Sequence, residues 1–238
     1  MKIPGRKALV LGGTSGIGLE AARLLAEGGA EVVVGGRSEA HRTTAAKTLG
    51  RDVEVREIDV LDRDGLTALF QDLSPFDILV SSATGGPRAM GSFLEMDLDG
   101  FQGSFAKLWG YTNAVRLGAP SMAPDGSIVL VSGYPARRPT PGASAISTVG
   151  NAVEGFVRAI APEIAPRRIN VVSPGVIATP MFNLDPDLRE TFLENATKSF
   201  AIPRAGLAEE VARAIIFQIE NDFVTGTTID VDGGALLS

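Results

Sequence analysis

Within the first thirty residues an apolar run, a glycine cluster and a helical pattern follow one another. This order constrains the fold more than any other feature of the chain. Ala8–Leu11 reads as a short buried strand, Gly12-Gly13-Thr14-Ser15-Gly16-Ile17-Gly18 as a turn, and Leu19, Ala22, Arg23 and Ala26 as one side of a helix that stops at Gly28-Gly29. The alternation continues to the C-terminus. Glu31–Val34, Val53–Ile58, Ile78–Val80, Ser127–Val131, Ile169–Val172 and Thr227–Val231 are rich in Val, Ile and Leu without sustained polar alternation, as parallel strands covered on both faces require. Between them, Ile146, Val149, Gly150, Val153, Val157 and Ile160 form a helical stripe, and Glu209–Ile219 reads as a further helix. Strand–helix–strand repetition with short connections predicts an α/β fold, a doubly wound parallel sheet flanked by helices. With 238 residues and no linker, repeat or low-complexity tract, residues 1–238 read as a single domain.

Two segments are less regular. Gly133–Gly142 is rich in Pro and Gly and follows a strand, so an ordered surface loop is expected. Pro180–Pro203 carries Met181, Phe182, Leu184, Phe192, Leu193 and Phe200 on a polar background. It suits a short helical lid over a substrate, or a packed helix pair with no gating role.

The glycine cluster carries the first functional signal. Gly12 permits a tight turn, Gly16 lets backbone approach a pyrophosphate, and Gly18 allows a helix to pack closely on the sheet. The helix that begins there offers free N–H groups to phosphates, with Thr14, Ser15 and Ile17 in the same turn. At the end of the second strand, NAD-type sites place an acid for the ribose hydroxyls, but this chain has Gly35-Gly36-Arg37-Ser38. Arg37 can hold a 2′-phosphate through a forked, charge-assisted contact and Ser38 can add a hydroxyl, which favours NADP(H) over NAD(H). The plainer alternative is a solvated Arg beside a helix-capping Ser.

Composition removes several other chemistries. There is no Cys, so neither a disulfide framework nor a thiol nucleophile is available, and a lone His41 argues against a metal site or a Ser-His-Asp triad. A net charge of −6 disfavours nucleic acid as a partner. No secretory h-region and no run of about 20 apolar residues is visible, so no membrane association is expected and a cytoplasmic protein is the simplest reading.

On these motifs the chain resembles the short-chain dehydrogenase/reductase family over essentially its whole length. The Gly12–Gly18 turn matches the family's TGxxxGIG element, with Leu11 in place of the usual Thr. Asp59-Val60 matches the adenine-contacting element. Arg168-Ile169-Asn170-Val171-Val172-Ser173-Pro174-Gly175, then Thr179-Pro180, match RVNxVSPG and its sequel. Thr225-Gly226 and Asp230-Val231-Asp232-Gly233-Gly234 match the C-terminal strand. The resemblance implies a Rossmann-type fold of about seven strands. It places Ser82 and Ala83 of the Ser81-Ser82-Ala83-Thr84 segment, together with Pro174 and Gly175, beside a bound cofactor. The Ile177 backbone and Thr179 fall near the nicotinamide carboxamide.

The family's catalytic set does not carry over. Aligning Ala152-Val153-Glu154-Gly155-Phe156 with the family helix puts Ile146 at the Tyr position and Gly150 at the Lys position. Gly133 takes the usual Ser place, and Lys107 that of the Asn. A count without alignment agrees. Tyr111 and Tyr134 are the only tyrosines, and Val115 and Arg138, not Lys, follow them four residues later. Replacement proton donors are Lys107, Ser132 (one residue before Gly133) and Tyr134. Each also has an ordinary reading, as a solvent-reaching Lys, a strand-end Ser and a packed Tyr. A mid-helix Gly150 costs about 1 kcal/mol relative to Ala, so something should approach it closely: a ribose, a side chain such as Lys107, or a facing helix. Arg88, Lys107, Arg137 and Arg138 place cations near the expected mouth, favouring an anionic small-molecule substrate unless they are solvated or ion-paired.

The resulting expectation is an atypical NADP(H)-dependent oxidoreductase acting on a carbonyl/alcohol or imine substrate with a non-standard proton donor. The alternatives are an NADP(H)-binding pseudo-enzyme or sensor, and a non-redox cyclase or isomerase on the same fold. By resemblance a homotetramer or homodimer is expected, with Ala235-Leu236-Leu237 either at a subunit contact or packed on its own core.

Overall fold

The computed structural model describes residues 1–181 and 185–237. In chain order its elements are β1 (Lys7–Leu11), α1 (Gly16–Glu27), β2 (Glu31–Gly36), α2 (Glu39–Leu49), β3 (Val53–Glu57), α3 (Arg63–Leu73), β4 (Phe76–Ser81), α4 (Leu98–Gly103), α5 (Ala106–Gly118), β5 (Met122–Val131), α6 (Ser144–Ile164), β6 (Arg168–Pro174), α7 (Pro186–Thr197), α8 (Ala208–Glu220) and β7 (Thr228–Val231). The strands form one parallel sheet in the order β3-β2-β1-β4-β5-β6-β7. The chain reverses direction across the sheet between β1 and β4. In open parallel sheets the crevice at that switch point, outside the carboxyl ends of the strands, is where ligands bind.

Alternation along each strand feeds two cores. Ala8 and Val10 of β1 join Val34, Val80 and Val129 beneath α1 and α8. Leu9 and Leu11 join Leu79, Leu130, Tyr111 and Val153 beneath α3, α5 and α6. Both sets are buried, and each fully buried Leu contributes roughly 1.5–3 kcal/mol relative to exposure. This two-sided burial is why the strands read as continuous apolar runs. All seven expected strands are present. β5 begins earlier than expected, at Met122, because a polar Ala123–Gly126 start reaches past the end of the apolar run.

Helix starts follow local chemistry. Ser38 Oγ accepts from His41 N to open α2, Asp62 accepts from Gly65 N to open α3, and Asp97 from Gly100 N to open α4. The expected α1 stripe needs correction. Its buried residues are Gly18, Ala21, Ala22 and Leu25, whereas Arg23 turns outward to Glu20, Glu27 and Glu209. In α6 the core face is Val149, Gly150, Val153 and Val157 as expected, but Ile146 and Ile160 are only half-buried, and the buried row also takes in Ala145, Ser147 and Glu154.

Gly133–Gly142 is an ordered loop that opens with a tight 3-10 turn, Tyr134–Ala136, where Arg137 N and Arg138 N both donate to Tyr134 O. In the 180–203 segment, Leu193, Ala196 and Phe200 pack with Val176 and Ala235, while Met181, Leu188 and Phe192 stay exposed. Phe182 and Leu184 lie outside the described residues. At the C-terminus Ala235 is buried against its own chain and Leu237 is exposed. Among the described residues no helix is long and apolar enough to cross a membrane, and no His/Cys/Asp/Glu cluster could hold a metal.

Candidate active site

The glycine turn sits at the sheet's switch point. Gly12 N and Gly13 N donate to Gly35 O, and Gly12 holds φ at +77°. A Cβ there would lie 2.6 Å from Ala83 N, and one on Gly18 would lie 2.3 Å from Gly12 O and 2.4 Å from Ser82 Oγ. Ser82 locks the same turn, its N–H donating to Leu11 O and its hydroxyl to Gly12 O. Gly16 has φ +54°, and its missing Cβ would stand 3.3 Å from the Thr179 side chain. Gly16 and Thr179 therefore lie close against each other, the glycine leaving room for the threonine side chain. Thr179 is held there by a short turn, Thr179 N to Ile177 O, and by Ala178 N to Gly206 O. Pro174 closes β6, and a Cβ on Gly175 would lie 2.7 Å from Asp232 Cα.

The start of α1 is open to an anion. Its N-cap, Ser15, makes no side-chain capping bond, and the first turn contains no acidic residue. At the end of β2 a Cβ on Gly36 would meet Thr14 Oγ1 at 2.4 Å, so the Gly pair lets Thr14 fill that corner. Arg37 follows, exposed. The Ser38 oxygen is engaged as the α2 cap, as the plainer reading had it, leaving Arg37 as the main group at this edge. Asp59 Oδ1 accepts from Leu61 N, and Val60 O accepts from Asn113 Nδ2, which fixes the third strand's exit. Asn113, on α5, was invisible as a site residue in sequence because the contact spans 53 positions.

These residues fit a nicotinamide dinucleotide. The Gly12–Gly18 turn packs so closely on Ala83, Ser82 and Val10 that an added Cβ at Gly12, Gly13 or Gly18 would clash, the N-terminus of α1 offers uncapped donors for a pyrophosphate, and Arg37 lies exposed at the end of β2.

At the exit of β5 the expected proton-donor candidates separate. Lys107 Nζ donates to Ser132 O at 3.2 Å and stands 5.6 Å from the centre of the Tyr111 ring. It is partly buried and bonded, not a solvent-reaching surface Lys. Burial, then the positive charge of Arg88, lower its pKa to about 7. Tyr111 is fully buried, its hydroxyl donating to Val131 O at 2.9 Å, and burial pushes its pKa well up. Ser132 Oγ donates to Gly150 O at 3.2 Å. The close neighbours of Gly150 are Ala136 and Ser132. A Cβ there would lie 2.8 Å from Ala136 Cβ, so the glycine admits the 3-10 turn instead of a ribose or Lys107.

Tyr134 belongs to a different environment. Its ring meets Phe200 edge-on at 5.9 Å within the Val176–Ala235 cluster. Burial raises its pKa, and its charged neighbour is Arg138. The four expected mouth cations reduce to two. Arg137 pairs with Asp230 and buried Glu154, and Arg138 donates to Ala235 O. Arg88 and Lys107 remain together at the cleft.

A parallel sheet with a glycine cradle at its switch point defines a Rossmann-type α/β protein. Comparison with known proteins is specific beyond that. A family model described as enoyl-(acyl carrier protein) reductase matches residues 12–235. A 3-oxoacyl-[acyl-carrier-protein] reductase of Thermotoga maritima is 31% identical over the full length of both chains. A solved structure described as the MalC reductase/Diels-Alderase from Malbranchea aurantiaca aligns with TM-score 0.89 and 28% identity, covering 99% of this chain and 97% of that one. A small-chain dehydrogenase solved in complex with NADPH aligns with TM-score 0.82 and 29% identity over 98% and 100% of the two chains. The chain belongs to the short-chain dehydrogenase/reductase family.

Proposed function

We propose that this chain is an NADP(H)-dependent oxidoreductase that interconverts a small carbonyl or imine substrate with its alcohol or amine, using Lys107 as proton donor and acceptor. The observation that carries this reading is the Lys107 amino group at the exit of β5, held by Ser132 O and poised near neutrality. A group with a pKa near the working pH is suited to general acid–base work. Residues Gly12–Gly18, Arg37, Asp59, Val60, Ser82, Ala83, Pro174, Gly175, Ile177 and Thr179 would hold the cofactor, which supplies or accepts hydride when bound.

In the reducing direction a proton leaves Lys107 Nζ for the substrate oxygen or nitrogen, and the amine regains it from solvent. Ser132 O takes one of the Lys107 N–H bonds, which leaves the others for a substrate. The Tyr111 ring, its centre 5.6 Å from Nζ, favours the charged form of the amine. Ser132 Oγ and Tyr134 do not share this role: the first is bonded to Gly150 O and the second packs on Phe200.

The test is NADPH absorbance on a broad carbonyl and imine panel, comparing wild type with Lys107→Met. Substrate-dependent loss of NADPH that drops about 10²–10⁴-fold in the variant supports the reading. A panel that leaves NADPH untouched while the cofactor still binds refutes it. The likeness to a protein described as both reductase and Diels-Alderase favours one second reading, a cyclisation in the same cleft. Product formation without net cofactor consumption distinguishes it. A homodimer or homotetramer goes with either reading and draws support from exposed Trp109 on α5, Phe217 on α8, and Phe223. Light scattering of the purified chain tests it.

A further inference from the structure

We propose that the cleft beside Lys107 recognises a substrate carrying a carboxylate, which the guanidinium of Arg88 holds while Lys107 faces the reacting carbonyl or imine. The reducible group rests on the function proposed above. The carboxylate does not, because its recognition can be measured without turnover.

Backbone contact brings the two cations together. After β4 the chain turns back onto the start of α5. A Cβ on Gly85 would lie 2.5 Å from Ala106 O and 3.1 Å from Lys107 N. Arg88 leaves this turn, and its guanidinium reaches across the cleft to the Met181 sulfur beyond β6. Ala89 N, donating to Ser104 Oγ at 2.8 Å, fixes the loop just after it.

Among the described residues no carboxylate pairs with Arg88 or Lys107, whereas Arg6, Arg23, Arg42, Arg56, Arg137 and Arg204 all have acidic partners. The two like charges repel each other, with Lys107 half-buried and Arg88 exposed, and an anionic ligand between them relieves that repulsion. A single guanidinium fork matches a planar carboxylate through two parallel N–H···O bonds. The exposed Met181, which Arg88 touches, and Met90, two residues on, suit an apolar body on the same molecule.

The arrangement also couples binding to chemistry. The groups facing Lys107 are Arg88 from the loop after β4, the Tyr111 ring of its own helix and Ser132 O at the exit of β5. Unliganded, burial and the charge of Arg88 hold the Lys107 pKa down at about 7. A bound carboxylate offsets the charge of Arg88, the smaller of the two causes that lower the Lys107 pKa, and shifts Lys107 toward the ammonium form that donates a proton.

Hexanoate, hexanamide and hexyl phosphate serve as non-reducible probes, titrated calorimetrically into the full chain with and without NADPH. Lysine ¹³Cε resonances are followed alongside, with that of Lys107 assigned by its loss in Lys107→Met. Hexanoate should bind about tenfold or more tighter than hexanamide and raise the Lys107 midpoint from about 7 by about one unit. Arg88→Gln should abolish both effects, and Arg88→Lys should keep the midpoint shift but weaken binding. Equal binding of hexanoate and hexanamide, an unmoved midpoint, or full hexanoate affinity in Arg88→Gln overturns the proposal. Tighter binding of hexyl phosphate overturns the carboxylate assignment. Because no probe is reduced, failure of the carbonyl panel leaves this result standing, and the reverse also holds.

Discussion

The Lys107 ammonium stands 5.6 Å from the centre of the Tyr111 ring, one helical turn away, while the Tyr111 hydroxyl donates to Val131 O at 2.9 Å. The phenol ties α5 to β5, and the same strand exit holds the amine. Tyr111→Phe is expected to cost about 1–2 kcal/mol, because it leaves a buried carbonyl without its donor. Chemical denaturation of the variant against wild type measures this. A change below about 0.3 kcal/mol would mean that the strand exit does not need the phenol.

Lys107 should also leave a signature in stability against pH. Its folded pKa is about 7 against an ordinary 10.5, so the folded state is penalised for carrying the proton. Below about pH 7 both states are protonated and the penalty is fully present. Between about pH 7 and 10.5 only the unfolded chain holds the proton, so this group's contribution becomes more favourable as pH rises. Lys107→Met removes the penalty. Its melting temperature relative to wild type should be higher at about pH 6 than at about pH 10. A difference independent of pH would contradict the depressed pKa.

The cradle makes a steric prediction. In Gly18→Ala the new methyl would stand 2.3 Å from Gly12 O and 2.4 Å from Ser82 Oγ, and backbone must move to accept it. The variant should lose about 2–3 kcal/mol and most of its dinucleotide affinity together. Thermal melts with and without NADPH read both. Unchanged affinity would show that helix–turn proximity is not what shapes the site.

Arg37 should set cofactor preference. Arg37→Ala is expected to weaken NADPH binding by about 10–100-fold and leave NADH binding nearly unchanged, because only NADPH carries the 2′-phosphate. Titration of both cofactors into both proteins decides it. Wild type that favours NADH would overturn the assignment.

A purely structural carboxylate provides a control. Glu210 accepts from Arg204 and from Leu207 N, which holds its pKa down at about 2. A depressed acid stabilises the fold above its unfolded pKa, and that benefit fades as pH falls toward 2. Glu210→Gln should cost about 0.5–1 kcal/mol at neutral pH, with the difference vanishing near pH 2, and should leave cofactor affinity intact. The small size reflects a side chain more than a third exposed.

Much of the fold was legible because parallel strands buried on both faces must be apolar throughout, as in Val32–Val34 and Ile169–Val172. The cradle was legible for a related reason. A positive φ at Gly12 and the contact at Gly18 admit almost no other residue, so local chemistry writes itself into the sequence. Helix faces were less clear. Around α1, small residues such as Ala21 and Ala22 fill the core as well as large ones do, and Arg23 turns to the surface to pair with Glu20 and Glu27, with Glu209 of α8 further off. The proton-donor candidates could not be ranked from sequence, because Lys107, Ser132 and Tyr134 differ only in what surrounds them.

The sequence by itself determined the sheet, the phosphate cradle and the absence of a Tyr-x-x-x-Lys pair, because each depends on residue type at short range. Tertiary structure decided which cations face the cleft. Arg137 is drawn off by Asp230, 93 residues away, and Arg138 by Ala235 O, 97 residues away, while Arg88 and Lys107 are left side by side. Charge pairing acts over a few ångströms in space without regard to distance along the chain, so only the fold could show which of four similar cations find partners within the protein.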